Sequence, residues 1–178
     1  MQPKRGSTAR RSGKYAQLVA SNETKVMSDA LTLAQMGCVV PAFMTDAEAF
    51  AAVALAAVSC DGALGRDEAH ALRRQLEFRY PYRERSEAAM GELFDQLLSL
   101  LRQEGVDGLI SKALPALSSL QQESALAVAA QLVHSDREVS KEEAAFLEDL
   151  ACKLDLPSER ARIVIQAISA LNRDSLLS

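Results

Sequence analysis

A pattern that occurs twice constrains the fold of this chain most: an alanine-rich run, then an aspartate, then a glutamate seven residues later. The first copy places Asp61 and Glu68 after one such run, and the second places Asp136 and Glu143 after another. Both acids keep the same offset, since 136 − 61 = 75 and 143 − 68 = 75. Because alanine is the strongest helix former and lets backbones approach closely, each copy predicts a closely packed helix, a turn and a second helix.

Identical residues at the 75-residue offset predict an internal duplication of this helix-turn-helix pair. Alanine-rich helices match easily by chance, so the coincident acids carry more weight than the coincident alanines. The identical pairs are Glu48/Glu123, Ala52/Ala127, Val53/Val128, Ala54/Ala129, Val58/Val133, Asp61/Asp136, Glu68/Glu143, Ala69/Ala144 and Leu72/Leu147.

The rest of the chain also favours helices, since runs of β-branched residues are short and Gly and Pro fall where helices would end. Tryptophan is absent and aromatic residues make up only 4% of the chain, so the core must be built from Ala, Leu, Val and Ile. We therefore expect an all-α, compact single-domain bundle of seven to eight helices, with Asp46 capping the second of them. The predicted helices are 23–36, 47–60, 66–80, 86–104, 107–119, 121–134, 141–154 and one that starts after Pro157.

Charge divides the chain into a basic start and an acidic body. Five basic residues precede the first acid, so a net charge of −4 leaves −4 − 5 = −9 on the remainder. We expect residues 1–20 to be a disordered basic N-terminal arm, residues 21–45 an N-terminal helix and linker, and residues 46–178 the helical domain. The acidic body argues against binding of nucleic acid.

Cysteine usage and hydropathy predict a cytoplasmic protein. Cys38, Cys60 and Cys152 form no CxxC pair, which favours reduced thiols over a disulfide framework or a zinc site. The longest uncharged stretch, residues 30–45, contains Gly37 and Pro41 and is too short to span a bilayer.

Helix capping accounts for both glutamates of the repeated pattern. Ser140 and Glu143 stand at the spacing of a capping box, and Gly65 and Glu68 repeat that spacing with glycine as the N-cap. Capping does not account for the aspartates, which follow the C-terminal ends of helices, where a negative charge is unfavourable. That cost would be offset by a bound cation.

Carboxylates and turn carbonyls are the ligands that Ca²⁺ and Mg²⁺ prefer, so the aspartates suggest a divalent-cation site. The candidate ligands are Asp61 and Glu68 at the first turn, and Asp136, Glu138 and Glu143 at a weaker second site. The spacing is shorter than that of an EF-hand loop, so the residues alone leave capping and metal binding as open alternatives.

The segments AAVALAAVSCDGALGRDE (51–68), AVAAQLVHSDREVSKEE (127–143) and EAAFLEDLACKLDL (143–156) resemble the tellurite-resistance TerB-like family. The resemblance extends over about Asp46–Asn172 and implies a compact helical fold with acidic clusters that hold divalent cations. It also implies a role in resistance to tellurite or other chemical stress, without catalytic activity. The second copy departs from the family pattern, because Arg137 stands where the first copy has Gly62.

The expected function is therefore a non-enzymatic stress-response protein that binds divalent cations through the duplicated turns and engages partner proteins. A second copy of the chain is among the candidate partners, and any membrane contact should be peripheral at most. The alternative is a metal-independent helical interaction scaffold whose acids only cap helices. A hydrolase that uses paired carboxylates and a metal is a third class, but the sequence offers it no nucleophile or base.

The basic arm gives the first testable prediction. Removing residues 1–14 should leave the melting temperature nearly unchanged, because this segment has almost no apolar residue to bury. A thermal melt of the truncated and full-length proteins checks this. A drop of several degrees, which means on the order of 1–2 kcal/mol for a chain of this size, would contradict it.

Overall fold

Helices make up all the regular secondary structure over the part of the chain that the computed structural model describes, residues 44–62, 64–135 and 139–173. The predicted all-α class is thus confirmed for these residues, which belong to one compact unit. The predicted N-terminal arm and the helix at 23–36 lie outside them. In the described ranges, no helix combines the length and the apolar character needed to cross a bilayer.

Six α-helices and two short 3₁₀ turns follow one another along the described residues. The helices are α1 (Asp46–Val58), α2 (Arg66–Glu77), α3 (Glu87–Ala113), α4 (Ser119–Val133), α5 (Lys141–Lys153) and α6 (Ser158–Asn172). The 3₁₀ turns are Tyr82–Glu84, between α2 and α3, and Leu114–Ala116, between α3 and α4.

The described residues contain six α-helices where the sequence predicts seven, because the helices expected at 86–104 and 107–119 are both part of α3. Gly105 does interrupt the helical backbone, with φ 72° and ψ −177°. The chain resumes helical geometry at once, however, so a kink takes the place of a connecting loop. The end of the predicted 107–119 helix forms the 3₁₀ turn at Pro115, since proline cannot continue an α-helix.

Helix α1 lies at the centre of the bundle. Ten of its thirteen residues are buried, and seven of those ten are alanines. A helix that is apolar on all sides must be surrounded by other helices, and α1 packs most extensively against α3 and α4. The close packing that the alanine-rich run predicts is therefore what the structure shows for α1.

The helices contact one another in two corresponding sets of three. Helix α1 packs against α2 and α3, as α4 packs against α5 and α6, and each set also meets the other through contacts of α2 with α4 and of α5 with α1. Where the two sets meet, Gln121 Nε2 donates a hydrogen bond of 2.9 Å to Asp46 Oδ2. These two residues are 121 − 46 = 75 positions apart, the offset of the repeated pattern.

Thr45, not Asp46, is the N-cap of α1, which corrects the prediction. Thr45 Oγ1 accepts the Glu48 N–H at 3.2 Å, and Glu48 Oε2 accepts the Thr45 N–H at 2.8 Å, which completes a capping box. Asp46 is the first helical residue instead, and its carboxylate bonds to Gln121.

Two glycines of α3 give a matched test of the kink. Gly105→Ala should destabilise the protein by about 1–3 kcal/mol, because the backbone at φ 72° is reached easily by glycine alone. Gly91→Ala should stabilise it by about 0.5–1 kcal/mol, because Gly91 is helical and a Cβ there meets nothing within 4 Å. Chemical denaturation of both variants checks the pair, and equal effects would mean that α3 is not kinked at Gly105.

Candidate functional site

The first acidic turn connects α1 to α2 and begins where the alanine-rich helix ends. Ser59 is the C-cap residue of α1, and its carbonyl accepts the Gly62 N–H at 3.1 Å. Gly62 has φ 89°, so it adopts the left-handed conformation that the sequence predicts for this position. The turn leaves Asp61 exposed to solvent.

Both predicted glutamate caps are present. Glu68 Oε2 accepts the Gly65 N–H at 2.5 Å, and Glu143 Oε2 accepts the Ser140 N–H at 2.8 Å. Ser140 Oγ in turn accepts the Glu143 N–H at 3.1 Å. A carboxylate has about four lone-pair sites, so one capping hydrogen bond leaves it able to bind a cation as well.

One cleft brings the two glutamates together across the bundle. This acidic cleft, a cavity of about 380 Å³, is lined by Asp67 and Glu68 from α2 and by Glu143 from α5. Arg66 and Arg74 also line it and balance part of its charge. Two glutamates that are 75 residues apart in the sequence therefore line one surface cavity.

The Cys60 thiol also indicates that the start of α5 lies close to the end of α1. Burial, together with the nearby negative charges of Glu143 and Asp61, raises the pKa of Cys60 to about 11. Its Sγ donates to the Ala57 carbonyl at 3.2 Å. The thiol is thus protonated at neutral pH, and a protonated thiol is a poor nucleophile.

The predicted metal ligands are only partly within the described residues. Glu68 and Glu143 line the acidic cleft, Asp61 lies in the adjoining turn, and Asp136 and Glu138 lie outside the described ranges. Within those ranges, no group of three or more His, Cys, Asp or Glu side chains is placed to hold a metal ion.

A buried hydroxyl lies close to the same turn. Ser59 is 8% exposed, and its Oγ has no hydrogen-bond partner among the described residues. A buried polar atom without a partner costs about 1–3 kcal/mol, so an oxygen of this kind next to an acidic turn favours an additional ligand there.

Arg74 is a residue of the cleft that the sequence did not single out. It lies on the same side of α2 as Glu68, through the i, i+3 steps from Glu68 to Ala71 and from Ala71 to Arg74. This i, i+3 spacing is the feature of the sequence from which the position of Arg74 near Glu68 could have been predicted. The prediction was missed because Arg74 belongs to a longer basic segment, which is typical of a solvated helix end.

Fold and cleft together define the class of protein: over the described residues it is an all-helical module in which the first turns of two helices contribute carboxylates to one cleft. The family model for tellurite resistance protein TerB matches residues 47–167, which is 167 − 47 + 1 = 121 of the 178 residues. The chain therefore belongs to the TerB family, as its motifs indicate. No curated protein and no solved structure matches it significantly.

The Cys60 thiol provides a test of the cleft. In a protein with Cys38→Ser and Cys152→Ser, a pKa of about 11 should make alkylation of Cys60 at about pH 8 roughly 100-fold slower than that of an ordinary thiol. Glu143→Gln should speed the reaction and lower the thiol pKa, because it removes a nearby negative charge but keeps a capping side chain. The measurement is the pH profile of the alkylation rate.

Glu142→Gln is the matched control, since it removes the charge of a neighbouring exposed residue on the same helix. If both variants change the rate equally, Glu143 has no special proximity to the thiol.

Proposed function

We propose that this TerB-family protein is a non-enzymatic, cytoplasmic stress-response module that binds a divalent cation through its acidic turns and passes that state to partner proteins. The observation that carries the proposal is the convergence of Glu68 and Glu143, from equivalent positions of the two repeats, on one cleft. Ca²⁺ and Mg²⁺ are the cations that such oxygen ligands suit best.

Charge and geometry at the first turn support a cation there. Asp61 follows the C-terminal end of α1, where helix carbonyls also place negative charge. The turn also supplies backbone carbonyl oxygens, and the buried Ser59 hydroxyl, two residues before Asp61, has no hydrogen-bond partner among the described residues. A hard cation would neutralise the carboxylates and give these oxygens a ligand.

The ligand set that we propose follows the repeats. Asp61 and Glu68 form the stronger site, and Asp136, Glu138 and Glu143 form the weaker one. Arg137 is the reason for the ranking, because a guanidinium next to Asp136 competes with a cation for that carboxylate.

An internal duplication is part of the proposal. It is supported by the corresponding contacts of the two sets of three helices and by the hydrogen bond between Asp46 and Gln121 at the repeat offset. A duplicated unit that packs against its copy places equivalent residues opposite each other. This would explain why one cleft contains a glutamate from each repeat.

The partner surface that we propose lies along the loop from α2 to α3. Phe78 and Tyr80 are 78% and 71% exposed there. The neighbouring Tyr82 is buried and donates its hydroxyl to the Ala47 carbonyl at 2.5 Å, which fixes the loop to α1. Two large aromatic side chains presented by an anchored loop favour contact with another protein, for which a second copy of the chain is one candidate.

The alternative, a metal-independent scaffold, has one specific observation in its favour. Both cleft glutamates are already engaged as caps, and capping alone would place a carboxylate in the first turn of α2 and of α5. The two functions differ in what happens when a cation is added.

Calorimetric titration with Ca²⁺, Mg²⁺ and Mn²⁺ separates them. Millimolar cation acting on a site with Kd about 0.1 mM should raise the free energy of unfolding by roughly 1.4 kcal/mol. Asp61→Asn should abolish both the binding and the increment, because it removes the charge at nearly constant size. Glu68→Gln should weaken binding but leave stability without cation largely intact, since glutamine also serves in a capping box.

Asp95→Asn is the matched control for Asp61→Asn, because Asp95 is an exposed aspartate on α3 away from both turns. The scaffold function is correct, and the metal-binding one wrong, if the wild-type protein binds none of the three cations at millimolar concentration.

A further inference from the structure

A cavity of about 610 Å³ lies where α2 meets the C-terminal ends of α4 and α6. Its lining includes Arg74, His134 and Arg173, and we call it the cationic cavity. Among the described residues that line it, none is acidic. The neighbouring acidic cleft is lined by Glu68 and Glu143, so the cationic cavity differs from it in charge. The cationic cavity is also opposite in sign to the chain as a whole, whose net charge is −4.

The two arginines of the cationic cavity lack ion-pair partners within the described ranges. Arg73, the residue before Arg74, pairs with Glu77 and Glu87, so carboxylates are available to neighbouring positions of α2. Among the described residues, no carboxylate forms such a pair with Arg74 or Arg173. Guanidinium groups present several N–H donors in a planar fork that matches the oxygens of an oxyanion, so this pair favours a ligand of that kind.

His134 adds a hydrogen-bond acceptor of defined position. Its Nδ1 lies 2.8 Å from the Ala130 carbonyl oxygen. A carbonyl can only accept, so Nδ1 carries the proton of the neutral ring and Nε2 is left as an acceptor. Arginines that donate and an imidazole nitrogen that accepts suit an oxyanion that still has a hydroxyl group.

Side-chain amides fix the wall between α4 and α6. Gln131 Nε2 donates to Asn172 Oδ1 at 2.9 Å, and Asn172 Nδ2 donates to Gln131 Oε1 at 3.1 Å. Asn172 Nδ2 also donates to the Ile168 carbonyl at 2.9 Å, which uses its second hydrogen. Gln131 keeps one N–H that is not used in this pair, and this adds a neutral donor at the cavity.

We propose that the cationic cavity binds a singly protonated oxyanion, with Arg74 and Arg173 donating to its oxygens and His134 Nε2 accepting its hydroxyl. Hydrogen phosphate and hydrogen tellurite share this chemistry, and sulfate, which has no hydroxyl at neutral pH, does not. The cationic cavity adjoins the acidic cleft, and the residues that line both are Ala71, Arg74, Leu132 and Ser135. The oxyanion proposal does not depend on the proposed cation site, because it rests on Arg173 and His134, which line the cationic cavity alone.

The test is a calorimetric titration of the full chain at about pH 7.5, where imidazole is ordinarily neutral, with inorganic phosphate, tellurite and sulfate in turn. Phosphate or tellurite should bind at least about tenfold more tightly than sulfate, because a site with a buried or oriented acceptor rejects an analogue that lacks the matching hydroxyl. Arg173→Gln should weaken phosphate binding by about tenfold or more, as expected for a charged donor.

His134→Asn tests the imidazole separately. Asparagine can still donate to the Ala130 carbonyl but lacks the acceptor at the Nε2 position, so the preference for phosphate over sulfate should disappear. Arg162→Gln is the control, since Arg162 is an exposed arginine of α6 that pairs with Glu159 and lies outside the cavity lining. It should leave all three affinities unchanged.

The outcomes decide as follows. The proposal is supported if the protein binds phosphate but not tellurite, or if it binds both. Which of these two results is obtained shows whether tellurite is also a ligand of the cationic cavity. Three results overturn it: no binding of phosphate or tellurite at millimolar concentration, phosphate binding that Arg173→Gln does not weaken, or equal binding of phosphate and sulfate to the wild-type protein. Loss of cation binding in Asp61→Asn has no bearing on these results, so the two proposals fail independently.

Discussion

The burial of α1 is the interaction on which the rest of the structure depends. Its seven buried alanines are small enough for α3 and α4 to approach its backbone from different sides. A helix that is buried on all sides has no exposed position for a charged side chain in its middle, so charged residues occur only near its ends. Asp46 stands at one end, where it accepts a hydrogen bond from Gln121 of α4, and Asp61 follows the other end, where its charge acts on the Cys60 thiol.

Local features of this fold could be predicted from the sequence because they depend on neighbouring residues. The capping of α2 by Glu68 and of α5 by Glu143 follows from a three-residue spacing, and the left-handed Gly62 follows from its place after an apolar helix. Wrong local predictions came from competition between adjacent signals. Thr45 outcompeted Asp46 as a cap because Glu48 completes its capping box.

Features that depend on distant residues could not be predicted in the same way. The proximity of Glu143 to Cys60 depends on how α5 packs against α1, and no spacing in the sequence encodes it. The continuity of α3 was missed for a different reason. A glycine can end a helix or kink it, and the choice depends on whether the helix beyond it has a surface to pack against. Leu109 and Ile110 are buried, so the helix beyond Gly105 has such a surface.

The hydrogen bond between Asp46 and Gln121 has a consequence for which residues these two positions accept. The two side chains contact each other where the two sets of three helices meet, so a change in one alters the environment of the other. Two aspartates in this place would repel, whereas an aspartate and a glutamine form a donor–acceptor pair. The two positions are therefore constrained jointly, although 75 residues separate them in the chain.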